Sequence, residues 1–447
     1  MARMLMATTP GEGHVNPLVS VARVLVERGH EVQWYAGAAF EGKVTGAGAR
    51  HRRFRAAYDF SGLTRAEAFP HHAGVTGLSG MTLGLKEIFL DPAPDQMADL
   101  LEILDGFPAD VVVTDETCFG AGLAAERAGL PLVWVATSVY ILSSRDAAPM
   151  GLGLPPAGRP WNRVRNRLLA WTADSMLMRG IRRHADVVRA RAGLPRLAGR
   201  VLENIVKEPD LYLMGTVPSF EYPRSDLRPQ TRFVGALAGR ASAPFTPPPW
   251  WDELSDGRPV VHVTQGTIAD DADRLLGPAL AALADEPVHV VATTGRPAAP
   301  GAAGSGASVS AAGSGVDGRL PANAWLEPYI PHDELLPEVQ VMVTNGGYGG
   351  VNAALSHGVP LVVAGATEEK HEVGARVAWS GAGLHLTGRL SEERLREAVR
   401  RVLEDGAYAD RAASLKEEFR RYDGPELAAA AIEELLAARS AGRTAIS

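Results

Sequence analysis

Short apolar runs recur along the chain, each followed by a loop rich in glycine or acidic residues and then by a segment whose apolar positions repeat at helical spacing. From Arg3 to Thr8 the run RMLMAT suits a strand buried on both faces. Asn16 before Pro17 offers an N-cap and a first helical residue, which predicts a helix from Pro17 to Arg28. Gly29 closes it, and EVQWYA at Glu31 to Ala36 resumes strand character, making a βαβ unit with a right-handed crossover. The same grammar returns at Asp110 to Asp115, a helix near Gly120 to Ala128, and Leu130 to Thr137. A second series of strands is predicted at Val260 to Thr264, Val288 to Thr294, Val339 to Asn345 and Val359 to Gly365. Two parallel α/β sheets follow, Rossmann-like and doubly wound, facing each other across a cleft.

The stretch from Pro218 to Pro249 is rich in proline and separates the two series. The expected organisation is an N-terminal domain over 1–225, a linker over 226–250, a C-terminal domain over 251–424, and a final helix over 425–447 packed across both. Between Tyr58 and Leu101 the pattern fits neither period, as in segments that line ligand sites. Arg163, Arg167, Arg179, Arg182 and Arg183 stand at helical spacing around Leu168, Leu169, Trp171, Met176 and Leu177 and read as a solvated helix face. Residues Ala298 to Gly318 are of low complexity.

The length of 447 residues fits two cores rather than one. Apolar residues at 46% and charged residues at 22% put the chain among ordinary folded proteins. A charge of -7 has the wrong sign for a protein devoted to nucleic acid or to an anionic membrane. The single cysteine, Cys118, excludes a disulfide framework and a CxxC metal site. MARMLMATTP lacks the core and cleavage site of a signal peptide, and no apolar run approaches the ~20 residues of a membrane span. These features predict a cytoplasmic protein without a membrane span.

In parallel α/β sheets ligands sit beyond the carboxyl ends of the strands, which directs attention to PGEGHVNP, TDETCFG, TQGTIADD, TNGGYGGV and GATEEKHE. The first of these is an incomplete dinucleotide fingerprint, since its third glycine falls on Asn16 and no acidic residue ends the second strand. It does present His14 at a strand tip. A lone histidine is more often structural, but Asp115 emerges at the same sheet edge. A carboxylate on one imidazole nitrogen fixes the tautomer and steadies the cation formed when the other takes a proton. The plainer alternative is that Asp115 caps the following helix.

GEGHVNP, PYIPHDELLP and GGYGGVNAALSHGVPLVV together resemble the inverting nucleotide-sugar glycosyltransferases of the GT-B fold, family 1 type, in their bacterial natural-product, macrolide-type branch. The likeness spans nearly the whole chain. It implies an acceptor site in the N-terminal domain and a donor site in the C-terminal one, with His14 as base and Asp115 as its partner. By the same resemblance Tyr329 lies against the nucleobase, Ile330 offers backbone contacts to it, and His332 follows where glutamine is usual. Gly266 and Thr267 match a phosphate loop, while Gly346, Gly347, Gly349 and Gly350 let the chain approach a diphosphate at the start of a helix near Val351. Glu369 and Lys370 occupy the place of the acid and amide that hold sugar hydroxyls.

Asn345, Gly350 and Ala353 depart from the family, which has histidine, serine or threonine, and an acidic residue there. Asn345 can still donate an amide N–H to phosphate; the other two offer no side-chain contact. Asp270, Asp271 and Asp273 read as a helix start rather than a metal motif, and His71 and His72 as structural. No resident cofactor or metal is implied. The expected reaction is inverting transfer of a sugar from a UDP- or dTDP-sugar to a hydroxyl of a small hydrophobic aglycone, with a homodimer compatible with the sequence. A nucleotide-sugar epimerase or hydrolase on the same fold, or a non-catalytic binding subunit, are the alternatives.

Overall fold

In the computed structural model, which describes residues 1–75, 77–200, 203–237, 245–265, 275–295, 320–365 and 368–444, thirteen strands form two wholly parallel sheets. The first holds β1 (Arg3–Ala7), β2 (Glu31–Tyr35), β3 (Arg50–Arg52), β4 (Val111–Asp115), β5 (Leu132–Val135), β6 (Leu211–Met214) and β7 (Thr231–Phe233), in the order β3-β2-β1-β4-β5-β6-β7. The second holds β8 (Val260–Thr264), β9 (His289–Thr293), β10 (Ala324–Glu327), β11 (Val341–Thr344), β12 (Leu361–Val363) and β13 (Gly383–His385), in the order β10-β9-β8-β11-β12-β13. In both sheets the order reverses beside the first strand, between β1 and β4 and between β8 and β11. Loops leaving such neighbours diverge to opposite faces and open a crevice at the carboxyl edge.

The central strands β1, β4, β5, β8, β9 and β11 are buried along all or nearly all of their length, so their side chains read as mainly apolar runs without polar alternation. The first helix runs Glu12–Glu27 with Gly11 at its N-cap, earlier than the predicted start at Pro17. Pro17 lies inside it, and the helix forgoes only the one hydrogen bond to Gly13 that its missing N–H would have made. His14 therefore stands in the first helical turn rather than in a loop. β7 falls within the stretch read as linker and completes the edge of the first sheet.

The two halves share buried contacts. Val139, Val217 and Phe220 pack in one cluster with Ile330, Tyr348 and Val351. Thr216 Oγ1 donates to Asn352 Oδ1 at 2.6 Å. Glu221 accepts from Arg376 Nε at 2.8 Å, and Arg376 Nη1 reaches Glu372, whose Oε1 takes the backbone N–H of Gly151 and Gly153. Burial opposes the Glu221 charge, but Arg376 and Arg224 hold its carboxyl down at about 2. The last helix, Gly424–Thr444, buries Ala428, Ala429 and Ile432 against Leu18 and Leu25 of the first domain. Among the described residues no helix is long and apolar enough to cross a membrane.

Candidate active site

Parallel pairing of β1 with β4, with Ala7 opposite Thr114, brings the residues after both strands side by side. His14 Nδ1 lies 3.0 Å from Asp115 Oδ1. Asp115 is fully buried and His14 keeps 20% of its side chain open to the cleft. Asp115 does not cap the following helix, Phe119–Ala128, whose N-cap is Cys118 without a side-chain bond. Instead it gathers donors: Thr9 N at 2.8 Å, Thr117 N at 2.9 Å, Thr117 Oγ1 at 2.5 Å and Thr9 Oγ1 at 3.3 Å. Burial opposes its ionisation, yet His14 and these donors keep the carboxyl below the usual range. An ionised acceptor at Nδ1 fixes the proton there and leaves Nε2 bare, the state a general base requires.

Burial also opposes the imidazolium of His14, but Asp115, aided by Glu116 and Glu369, raises its pKa above 6.5. Thr117 Oγ1 and Thr137 Oγ1 approach the same Nδ1 at 3.2 and 3.5 Å, and the Phe89 ring leans on the imidazole at 6.2 Å between centroids. Glu116 is buried beside Asp115 and accepts the N–H of Thr137 and Ser138. Desolvation, then the Asp115 charge, pushes its carboxyl up to about 8. Thr9, Glu116, Thr117, Thr137 and Phe89 were not among the expected site residues. The spacing Asp-x-Thr of an Asx turn signals Thr117, and a strand end signals Thr137, whereas nothing local signals Phe89.

On the second sheet, Asn345 follows β11 and Gly346 takes φ +89, where a Cβ would lie 2.8 Å from Val363 and 3.1 Å from the Lys370 carbonyl. Only glycine fits that turn. The helix starts at Tyr348, not near Val351, with Gly347 as N-cap and no side-chain cap. Gly349 and Gly350 thus carry first-turn N–H groups without intrahelical partners, on an open face: Gly349 has nothing within 4 Å of a Cβ position and Gly350 only ordinary contacts with Met342 and His332. Asn345 ties the β8 and β11 loops together, because its amide nitrogen donates to the Gln265 carbonyl and its oxygen accepts from Gly347 N, which leaves the second amide N–H for the phosphate use expected of it. Gly365, also unexpected, packs so tightly on Asn345 that a Cβ would sit 1.9 Å from its carbonyl oxygen.

Tyr329, after β10, exposes 54% of its surface, while Ile330 is buried in the core. His332 is half-buried, 6.1 Å from the ring of His262, and burial lowers its pKa despite Asp333, so it stays neutral at pH 7. Glu369 and Lys370 begin the helix Glu368–Ser380. Water reaches Glu369, but surrounding protein raises its carboxyl against the pull of His14 and Lys370. Glu369 and His14, from the two domains, thus feel each other's charge, as Tyr329 feels that of Glu12. Gly266, Thr267 and Asp270, Asp271 and Asp273 lie outside the described residues. His71 and His72 share Glu87, at 2.5 and 3.1 Å. Arg65 sits 3.4 Å from His72 Nδ1, and a guanidinium only donates, so the His72 proton belongs on Nε2, where a metal would need it gone.

This chain is 57% identical over 436 residues to the 4'-demethylrebeccamycin synthase of Lentzea aerocolonigenes, covering 97% of itself and 100% of that protein. It belongs to the family 1 glycosyltransferases of bacterial natural products. The UDP-glycosyltransferase 2 of Phaeomoniella chlamydospora is 33% identical over 97% of the chain and 96% of its own length. The family described as Erythromycin biosynthesis protein CIII-like, C-terminal domain, matches residues 307–435. Among solved structures the glycotransferase of kitacinnamycin superposes with a TM-score of 0.72 at 21% identity, over 97% of this chain and 99% of that one, which establishes the GT-B fold. In this glycosyltransferase a histidine–aspartate pair stands at the reversal of the first sheet, and a glycine turn with a helix N-terminus at that of the second.

Proposed function

We propose that this glycosyltransferase moves a sugar from a UDP- or dTDP-sugar to a hydroxyl of a small hydrophobic aglycone, with inversion at the anomeric carbon. The observation that carries the reading is the 3.0 Å contact of His14 Nδ1 with a fully buried Asp115, which leaves Nε2 free at the cleft. The acceptor O–H gives its proton to His14 Nε2 as its oxygen attacks the anomeric carbon. The bond to the diphosphate oxygen breaks on the opposite face and its electron pair leaves with the nucleotide. Asp115 steadies the imidazolium. The first-turn N–H groups of Gly349 and Gly350 and the positive end of their helix meet the growing charge on the diphosphate. Glu369, facing His14, holds a sugar hydroxyl, and Tyr329 stacks on the base.

The test is product analysis with UDP- and dTDP-sugars, with and without an aglycone and with excess EDTA. Transfer that requires the aglycone and survives chelation supports the reading. Turnover of nucleotide sugar without an aglycone would point to the epimerase or hydrolase instead, and a metal requirement would remove the helix-terminus account of leaving-group stabilisation.

A further inference from the structure

The helix Pro160–Thr172 is inverted. Its protein side carries Asn166, 1% exposed, with Ala170, while Trp161, Val164, Leu168 and Trp171 point outward, each 60% to 68% exposed. Spacings of three, four and three residues put these four on one face, opposite Asn166 and Ala170. The following turn, Ala173–Leu177, extends the face with Met176 and Leu177, 67% and 52% exposed. The stripe gathers six large apolar side chains, each more than half exposed, which monomers ordinarily do not leave uncovered in one patch.

Its charges choose between occupants. The helix bears Arg163, Arg165 and Arg167 and no acidic residue. Arg163 is paired with Asp146, and Arg159 lies over the Trp161 ring at 5.0 Å. Arg167, Arg179 and Arg183 are exposed and have no ion-pair partner among the described residues. A twofold contact with a second copy would bring the middle of the helix onto itself, setting Arg165 and Arg167 against their own copies with no carboxylate on the helix to offset them. An anionic lipid surface accepts both features: tryptophan and leucine enter the headgroup boundary and the arginines reach the phosphates. The whole-chain charge of -7 speaks against such a surface, but here the distribution is local and basic.

We propose that this face is a peripheral membrane-docking surface, on which the helix Pro160–Thr172 lies in the plane of an anionic bilayer. The test is co-sedimentation of the full chain with vesicles of phosphatidylglycerol or of phosphatidylcholine, across salt. Binding is expected to phosphatidylglycerol, to be weak on phosphatidylcholine, and to fall with salt. Trp161→Ser with Trp171→Ser should lower partition more than about tenfold, and Arg167→Gln with Arg179→Gln about fivefold for each charge removed. Both pairs are exposed, so an unchanged thermal midpoint verifies folding. The proposal is overturned if the wild type remains in the supernatant with phosphatidylglycerol, or binds both lipids alike regardless of the arginines. It is equally overturned if the tryptophan variants dissociate a dimer in sedimentation velocity while vesicle binding is unchanged, which would assign the face to a second copy.

Discussion

Replacing Asp115 by asparagine separates the two things the carboxylate does for His14. Oδ1 of Asp115 takes Thr117 N, Thr117 Oγ1, Thr9 Oγ1 and His14, whereas Oδ2 takes Thr9 N. An asparagine therefore keeps its oxygen at the Oδ1 place and turns its amide nitrogen toward the Thr9 N–H. The tautomer of His14 survives, one donor is left facing another at a cost of about 1 to 3 kcal/mol in stability, and the negative charge is lost. A hydrogen bond to a charged partner is worth about 1 to 1.5 kcal/mol more than one to a neutral partner, so transfer should fall roughly 5- to 13-fold, less than the ~10²- to 10⁴-fold expected for His14→Ala. The pH profile carries the sign. Asp115 holds the His14 pKa above 6.5, and a base works only when deprotonated, so wild-type kcat/KM should rise with pH through that raised value. In Asp115→Asn the imidazolium loses its main support and the limb moves to lower pH, though Glu116 and Glu369 remain. The assay is sugar transfer across pH for wild type, both single variants and the double variant. With His14 gone Asp115 has no proton to steady, so His14→Ala/Asp115→Asn should match His14→Ala alone. Additive losses, or a limb that stays in place or moves to higher pH, would refute the dyad.

Glu116→Gln keeps an oxygen for the N–H groups of Thr137 and Ser138 but cannot ionise. Because the folded pKa is raised to about 8, wild-type stability drains as pH climbs from the ordinary carboxyl range to about 8, and the variant should gain most in Tm at the alkaline end of that window; parallel melting curves would contradict this. Tyr329→Ala should weaken the free nucleoside diphosphate and the nucleotide sugar alike, by about 1 to 3 kcal/mol in calorimetry, and a loss confined to the sugar would move Tyr329 off the base. Gly350→Ser places a hydroxyl in a first helical turn with only ordinary contacts around it, so it should fold normally and bind the diphosphate more tightly; weaker binding would show that the phosphates do not lie there.

The sequence alone determined the two parallel sheets, because strands such as VVVTD and VVHVT are buried on both faces and are therefore written mostly in apolar residues. It marked the glycine-rich loop after β11 as a place of close approach, and the structure adds that Gly346 takes a positive φ against Val363 that admits no side chain. His14 and Asp115 could be paired because parallel sheets put their reactive loops at one edge. Short edge strands such as Arg50–Arg52 and Thr231–Phe233 were not legible, since three residues carry no period and exist as strands only because a neighbouring strand offers hydrogen bonds. The helix start was misplaced because a proline is read as a first residue when its lost N–H costs least there, yet the fold carries Pro17 inside the helix so that His14 reaches Asp115 from its first turn. Only the tertiary structure decided that Asn345 ties the β8 and β11 loops, that Glu116 is buried beside the dyad, and that the Trp161 to Trp171 face looks outward. Each of these depends on which distant segment arrives at the other end of a hydrogen bond or an apolar face, and no spacing along one chain encodes that.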